Sequence, residues 1–269
     1  MSVILGFLLL LLLWTICICP RLPKRDIPIP AKTMFAHRGL WNPDFPENSL
    51  SAFENAVNHG FGIELDIQMT RDGHLVVFHD ANLARMCGVN RILEDLTWDE
   101  LSEYTLLSSH ERIPLFADVL ACVHGRVPLI VEIKTCKRIQ ALCESADILL
   151  QQYVGHYTVE SFDPRAMRWF RVHRPDIIRG QLCYGLKGEK YKKSLMNRLL
   201  ASLLQNVLSR PDFIAFDCDT DRSVPFRIVK ALFHPWTVAW TVQTQERSNL
   251  VREQYDFQIF EGFIPDTKE

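Results

Sequence analysis

Short apolar runs alternate with longer amphipathic segments along the chain from about residue 33 to its end. The short runs are rich in β-branched and aromatic residues and predict strands, whereas apolar positions three or four residues apart predict helices. Eight strands are predicted at residues 34–37, 62–69, 129–134, 157–162, 178–184, 213–217, 238–242 and 257–264. Seven helices are predicted between them at residues 48–59, 115–122, 139–152, 165–173, 195–208, 225–233 and 246–254.

This strict alternation of strand and helix indicates an α/β fold in which parallel strands are joined by crossover helices. Eight strands within residues 33–269 match a closed (β/α)8 TIM barrel, and a doubly wound open sheet is the alternative. One irregularity follows the second strand. Asp72-Gly73 predicts a tight turn, and the apolar run after it predicts a returning strand. Residues 74–113 are therefore predicted to form a small insertion.

The N-terminal segment differs from the rest of the chain. Residues 3–19 carry no charge and are followed by Pro20, which is about the shortest run that can cross a bilayer core of about 30 Å. No basic residue precedes the run and no small-residue cleavage site ends it, so a transmembrane anchor at residues 1–20 is favoured over a cleaved signal peptide. Residues 21–32 hold three prolines and predict a stiff tether. The basic residues directly after the run predict a single-pass cell-membrane protein with its large C-terminal domain in the cytoplasm.

Composition and charge narrow the choice of partners. The net charge of −2 and the pI near 6.5 give no reason to expect a nucleic-acid partner. The eight cysteines are scattered and form no C-x-x-C pair, which is typical of buried thiols in a reducing compartment rather than of a disulfide framework.

Residues 187–193 are basic and precede the predicted helix at 195–208, whose apolar positions form a broad face. An outer barrel helix that packs inward is the favoured interpretation. The alternative is a basic amphipathic helix that lies on an anionic membrane.

Ionisable residues occur where several predicted strands end, which is where barrel enzymes place their active sites. His37 and Arg38 end the first strand, and His79 ends the returning strand of the insertion. Two pairs with alternate spacing, Glu64 with Asp66 and Glu132 with Lys134, each place both side chains on one face of a strand.

Carboxylates that converge inside a barrel repel one another unless a cation binds between them. An all-oxygen donor set suits Mg²⁺ or Ca²⁺ better than zinc, because no cysteine joins the cluster. Arginine and lysine side chains beside such a cation are typical of a phosphate site, and two histidines can act as general base and general acid.

Three segments, AHRGLWNPDFPENSLSAFENAV, GIELDIQMTRDGHLVVFHD and LIVEIK, resemble the signature of the glycerophosphodiester phosphodiesterase family in order and spacing. The resemblance implies a barrel with a small insertion after strand two. It also implies metal ligands at Glu64, Asp66 and Glu132, catalytic histidines at His37 and His79, and phosphate binding by Arg38 and Lys134. Glu47 resembles a further acidic site residue, and Trp240 is a candidate to stack on the substrate alcohol.

Three functions remain open at this point. The first is metal-dependent hydrolysis of glycerophosphodiesters to glycerol 3-phosphate and an alcohol by histidine acid–base catalysis. The second keeps the same site but takes lysophospholipids at the membrane, as a lysophospholipase D. The third is a catalytically silent, membrane-tethered binding protein, which the intact set of ionisable residues disfavours.

Overall fold

The computed structural model describes residues 2–186, 195–220 and 223–266. The predicted basic stretch at 187–193 and the last three residues of the predicted barrel domain lie outside these ranges. Nine strands are described: β1 Met34–His37, β2 Gly62–Met69, β3 Leu75–Val77, β4 Leu129–Ile133, β5 Tyr157–Ser161, β6 Arg179–Cys183, β7 Phe213–Asp217, β8 Trp236–Val242 and β9 Phe257–Phe260.

Eight of these strands close into a parallel barrel. β1 pairs with both β2 and β9, and the order β9-β8-β7-β6-β5-β4-β2 completes the ring. β3 pairs antiparallel with β2 on the outside of this ring. The predicted (β/α)8 barrel is therefore confirmed, and the open-sheet alternative is excluded. In the barrel register Asp66 lies beside Glu132, and Glu132 lies beside Glu160, so these acids share one layer.

The helices surround the barrel and bury their apolar faces against it. They are α2 Leu50–Asn58, α5 Phe116–Val123, α6 Ile139–Leu150, α7 Pro164–His173, α8 Leu195–Ser202, α9 Asn206–Ser209, α10 Val224–Phe233 and α11 Gln245–Gln254. Local sequence defines where they start. The Ser49 hydroxyl accepts a hydrogen bond from the backbone of Ala52 and begins α2, and Asp163 caps α7 directly before Pro164.

The insertion after β2 has a small apolar core of its own. It contains β3, the short helices α3 Ala84–Cys87 and α4 Trp98–Leu101, and a 3₁₀ turn at Leu93–Asp95. Its buried side chains form a separate cluster: Val76, Phe78, Leu83, Met86, Leu93, Leu96, Leu101, Leu106 and Ile113. The insertion is thus a packed unit, and the pairing of β3 with β2 attaches it to the barrel.

Two predicted elements differ from the structure. The helix predicted at 195–208 is broken into α8 and α9, because Leu203 adopts a positive φ of 59°. The last strand was predicted to extend to residue 264, but β9 ends at Phe260, and Gly262 turns the chain with a φ of 76°. A left-handed residue is incompatible with a continuing helix, so apolar spacing alone overestimated the length of the helix.

The N-terminal helix α1, Ser2–Ile18, covers most of the predicted anchor. Within the described residues, no helix combines the length and apolarity that a membrane crossing requires. The transmembrane prediction is not supported by this result. The C-terminal end of α1 contacts the barrel, since the Asn206 side-chain amide donates to the Ile18 carbonyl at 2.8 Å and the Arg21 backbone amide donates to Pro211 at 2.9 Å.

A substitution at Phe53 on α2 tests how much the packing of the helices against the barrel contributes to the free energy of unfolding. Its side chain is fully buried in the main core. Phe53→Ala is expected to lower the free energy of unfolding by about 3–5 kcal/mol, because it removes a large buried ring and leaves a cavity. Urea unfolding followed by circular dichroism measures this. The control Leu232→Ala, at an exposed position on α10, should stay within about 0.5 kcal/mol of the parent protein.

Candidate active site

Three carboxylates meet at the C-terminal end of the barrel. Glu64 and Asp66 project from β2, and Glu132 projects from β4. All three side chains are buried, and one oxygen of each lies within 4.8 Å of an oxygen of the others. The structure thus brings together the three residues predicted to be metal ligands.

Two cations and an amide contact this acidic cluster. Lys134 Nζ lies 3.1 Å from Asp66 Oδ1 and 2.9 Å from Glu132 Oε1. Arg38 Nε lies 3.5 Å from Asp66 Oδ2, and the Arg38 backbone amide donates to Glu64 Oε2 at 3.1 Å. The side-chain amide of Asn48 donates to Asp66 Oδ2 at 3.0 Å. Asp66 is consequently the carboxylate with the largest number of positive or donating partners.

The pKa values of the three acids differ because their partners differ. Burial, with the nearby charges of Asp66 and Glu132, raises the pKa of Glu64 well above its usual range. Burial also raises the pKa of Glu132 to about 7. Burial acts in the same direction on Asp66, but Lys134, His79 and Arg38 together hold the pKa of Asp66 well below its usual range. The protein's own cations therefore compensate only part of the acidic charge.

A divalent cation fits this donor set. The donors are oxygens only, they lie close together, and two of the three acids are unfavourable as anions without additional positive charge. Glu64, Asp66 and Glu132 would hold such an ion, and it would neutralise phosphate oxygens and polarise the phosphorus atom. The donors do not distinguish Mg²⁺ from Ca²⁺.

His37 is held in place by a residue that the sequence interpretation missed. Its Nδ1 lies 2.5 Å from Glu261 Oε2, just after β9, and its Nε2 lies 3.8 Å from Glu64 Oε2. Burial opposes ionisation of Glu261, but the contact with His37 overcomes it and lowers the pKa of Glu261 to about 2. At neutral pH an ionised Glu261 favours the tautomer in which Nδ1 carries the proton and Nε2 faces the site.

His79 extends from the insertion towards the same cavity. Its Nδ1 contacts Asp80 Oδ1 at 2.7 Å, and burial lowers the pKa of the His79 imidazole. Asp80 in turn accepts a hydrogen bond from Arg85 Nε at 2.7 Å. Each histidine thus has a carboxylate on Nδ1, which leaves Nε2 available for proton transfer.

Glu47 connects the barrel to the insertion. It accepts from Arg38 Nη1 at 2.8 Å and from Arg85 Nη2 at 2.6 Å. Although burial opposes its ionisation, these two arginines keep the pKa of Glu47 below its usual value. The structure therefore places Glu47 beside Arg38 but outside the trio of carboxylates.

Most of the ionisable side chains described above line one cavity of about 310 Å³. Its lining includes the ionisable residues His37, Arg38, Glu64, His79 and Glu132. Trp240 also lines the cavity and packs edge-on against Phe162 with ring centroids 5.5 Å apart. The predicted stacking residue thus lines the same cavity as the ionisable groups.

Glu160 on β5 also lines the cavity and was missed by sequence reasoning. Its carboxyl is buried, and its Oε2 has no hydrogen-bond partner within the described residues. Burial and the nearby charge of Glu132 raise the pKa of Glu160 well above its usual range. The repeated pair Val131-Glu132 and Val159-Glu160 was a signal that could have found it, since both glutamates occupy the same position on adjacent strands.

Comparison with known proteins identifies the family to which a chain with this fold and this cavity belongs. The profile of the Glycerophosphoryl diester phosphodiesterase family matches residues 37–254. The chain belongs to this family. Membership confirms both the family expected from the sequence and the predicted enzyme class.

Individual known proteins resemble the chain to different extents. A Glycerophosphodiester phosphodiesterase of Bacillus altitudinis is 33% identical over 186 residues, which cover 66% of this chain and 69% of that protein. Uncharacterized protein YqiK of Bacillus subtilis is 39% identical over 109 residues, which cover 38% of this chain and only 44% of the relative. An Oleispira antarctica phosphodiesterase, solved in complex with the product sn-glycerol-3-phosphate, shares the fold with a TM-score of 0.71, 20% identity, and coverage of 86% of this chain and 93% of its own.

Glu261→Gln tests whether this carboxylate positions His37. Removal of the charge is expected to lower kcat by about tenfold or more with little change in KM, because the imidazole loses its orienting partner and not its contact with substrate. Steady-state kinetics on a glycerophosphodiester measures both constants. Partial recovery of kcat in Glu261→Asp would support the positioning role. Glu253→Gln, an exposed charge change on α11, is the control, and equal kcat in both Gln variants would contradict the role.

Proposed function

We propose that this protein hydrolyses glycerophosphodiesters to glycerol 3-phosphate and an alcohol in a metal-dependent reaction. The observation that carries the proposal is a single cavity lined by Glu64 and Glu132, by both histidines and by the phosphate-binding candidate Arg38. The third carboxylate, Asp66, lies within 4.8 Å of the other two. A hard cation, a phosphate and two proton-transfer groups are the components that phosphodiester hydrolysis needs.

In this proposal Arg38 and Lys134 hold the non-bridging oxygens of the phosphate. Both side chains already contact the acidic cluster, and both are cationic at neutral pH because Asp66 raises their pKa values against the effect of burial. Trp240, which lines the same cavity, packs against the leaving alcohol. The substrate is thereby oriented with its phosphorus next to the carboxylate trio.

His37 acts as the general base in this scheme. With Nδ1 directed to Glu261, its Nε2 accepts the proton of the nucleophile, which is water or a neighbouring hydroxyl of the substrate. His79, oriented by Asp80, donates a proton to the departing alcohol oxygen. Burial lowers the pKa of His79, so its imidazolium is a stronger acid but carries the proton more fully as the pH falls.

A paired assay tests the reaction and its substrate. Purified full-length protein is incubated with glycerophosphocholine or lysophosphatidylcholine, with Mg²⁺ or Ca²⁺ and with a chelator. Release of glycerol 3-phosphate from glycerophosphocholine, lost with chelator, is the expected result. Absence of turnover on both substrates in the presence of either ion would contradict the proposal.

Lysophospholipid hydrolysis is the second candidate, and the apolar helix α1 is the observation that favours it. Most side chains of α1 between residues 3 and 13 are exposed on the protein surface. Such a surface suits a protein that takes its substrate from a lipid phase. Faster turnover of lysophosphatidylcholine than of glycerophosphocholine in the paired assay would select this function.

We also propose that residues 1–20 attach the barrel, residues 33–269, to the cytoplasmic face of the cell membrane through the tether at 21–32. The exposed apolar surface of α1 supports attachment, and the basic residues after it support the cytoplasmic side. Alkaline carbonate extraction of membranes from cells that express the full chain tests attachment. Recovery of the protein in the carbonate supernatant would argue against the anchor.

A further inference from the structure

A second cavity, of about 500 Å³, lies at the end of the barrel opposite the active site. It opens where α1 ends against the segments that precede β6 and β7. Four arginines line it, Arg21, Arg171, Arg179 and Arg210, together with apolar residues that include Ile16 and Leu22. We name it the basal cavity.

The arginines of the basal cavity are only partly balanced by carboxylates. Among the described residues, no acidic side chain lines the cavity. The adjacent carboxylate is Asp212, which is buried and accepts two hydrogen bonds from Arg25, at 2.8 Å and 2.7 Å, and one from the Arg179 backbone at 3.1 Å. Arg21 Nε and Arg179 Nη1 approach Asp212 only to 3.8 Å and 3.7 Å. Asp212 is thus largely committed to Arg25, and the cavity keeps an excess of positive charge.

Arg179 is the most informative residue of this set. Its side chain is only 2% exposed, with Nε donating to the Ser209 carbonyl at 2.9 Å and Nη2 donating to the Arg210 carbonyl at 2.7 Å. Its Nη1 has no hydrogen-bond partner within the described residues. Burial and the charges of neighbouring arginines lower the pKa of Arg179 to about 10. A buried cationic donor without an acceptor is costly, and an anion in the cavity would supply that acceptor.

The other three arginines are fixed in place but still have unused donors. Main-chain carbonyls accept from Nη1 of Arg171, Arg210 and Arg21 at 2.7–3.1 Å. Neutral carbonyls orient a guanidinium without cancelling its charge, and each guanidinium has five N–H donors. Several fixed arginines with free donors are the arrangement that recognises phosphate oxygens.

We propose that the basal cavity binds a phosphate group, and that the headgroup of an anionic phospholipid is the source that fits it best. The cavity lies directly beside the end of α1, so a surface suited to lipid chains adjoins one suited to a headgroup phosphate. Ile16 and Leu22 provide apolar contacts at the cavity itself. A soluble phosphate ester has the same phosphate chemistry but makes no use of this apolar surface.

The test compares the full chain in detergent with the double variant Arg171→Gln/Arg210→Gln. One arm adds inorganic phosphate, and the other adds mixed micelles of phosphatidylglycerol and phosphatidylcholine against phosphatidylcholine alone, all at constant ionic strength with chloride. The rise in Tm with ligand concentration gives an apparent affinity. The double variant is expected to bind about tenfold more weakly or worse, because two charge-assisted donors are lost.

A matched control separates the cavity from net charge and from the active site. Arg168→Gln/Arg227→Gln removes two exposed charges that do not line the basal cavity, and it should bind like the parent protein. Binding of phosphatidylglycerol with or without phosphate supports the lipid source, and binding of inorganic phosphate alone supports a phosphate site with a soluble source. Equal affinity in both double variants, or no binding in either arm, overturns the proposal.

Discussion

His37→Ala and His79→Ala are each expected to reduce turnover of glycerophosphocholine by about 10²- to 10⁴-fold, the range typical of general acid–base groups. Each imidazole has a carboxylate on Nδ1 and lines the cavity that Glu64 and Glu132 also line. Neither side chain belongs to the apolar core, so the variants should fold. Steady-state kinetics with saturating metal, alongside circular dichroism, measures the effect.

The control for the histidine variants is His156→Ala. His156 is exposed and precedes β5 at the N-terminal end of the barrel, far from the catalytic end. It should turn over substrate at the parent rate. Parent-like turnover in both His37→Ala and His79→Ala would contradict the proposed acid–base mechanism. If only one variant lost turnover, only that histidine would act in proton transfer.

Asp66→Asn should cause the second large loss. We expect turnover to fall by about 10²-fold or more and the apparent affinity for Mg²⁺ or Ca²⁺ to fall with it. Asp66 contacts two cationic side chains and the amide of Asn48, and its pKa is the lowest of the trio. It is therefore the carboxylate of the trio that is most fully ionised. Turnover as a function of metal concentration measures the loss, and isothermal titration calorimetry measures binding separately.

Asp118→Asn is the matched control, because it makes the same chemical change at an exposed position on α5. Its metal dependence should match that of the parent protein. If Asp66→Asn kept the parent's metal dependence and turnover, the cation would have to bind elsewhere, and the trio would be a structural cluster. A chelator should abolish turnover in the parent protein and in the control alike.

The barrel and the meeting point of its acids follow from local sequence patterns. Alternation within β2 places Glu64 and Asp66 on one face, and parallel register then brings Glu132 beside Asp66. Strand ends in a closed barrel share one rim, so local placement is enough to predict their proximity. Glu64, Asp66 and Glu132 could therefore be predicted to lie together without knowledge of any long-range contact.

Other features depend on contacts that local patterns do not contain. Glu261 reaches His37 only because β9 closes against β1, and the two residues are 224 positions apart in the chain. The break at Leu203 was missed because the apolar spacing continues through it, and a left-handed backbone leaves no mark in that spacing. The role of Arg179 in the basal cavity was also missed, because an arginine that begins an apolar strand gives no sign of its neighbours.

The insertion after β2 has its own apolar cluster and contributes His79 to the cavity, whereas the acidic trio belongs to the barrel strands. In the proposed mechanism, the part of the protein that protonates the departing group can therefore change independently of the part that would hold the ion. Relatives that exchange or lengthen this one segment can diversify which alcohols they release while they inherit the same machinery for the phosphate. Divergence of headgroup preference within the family should accordingly be concentrated in the stretch between β2 and α5.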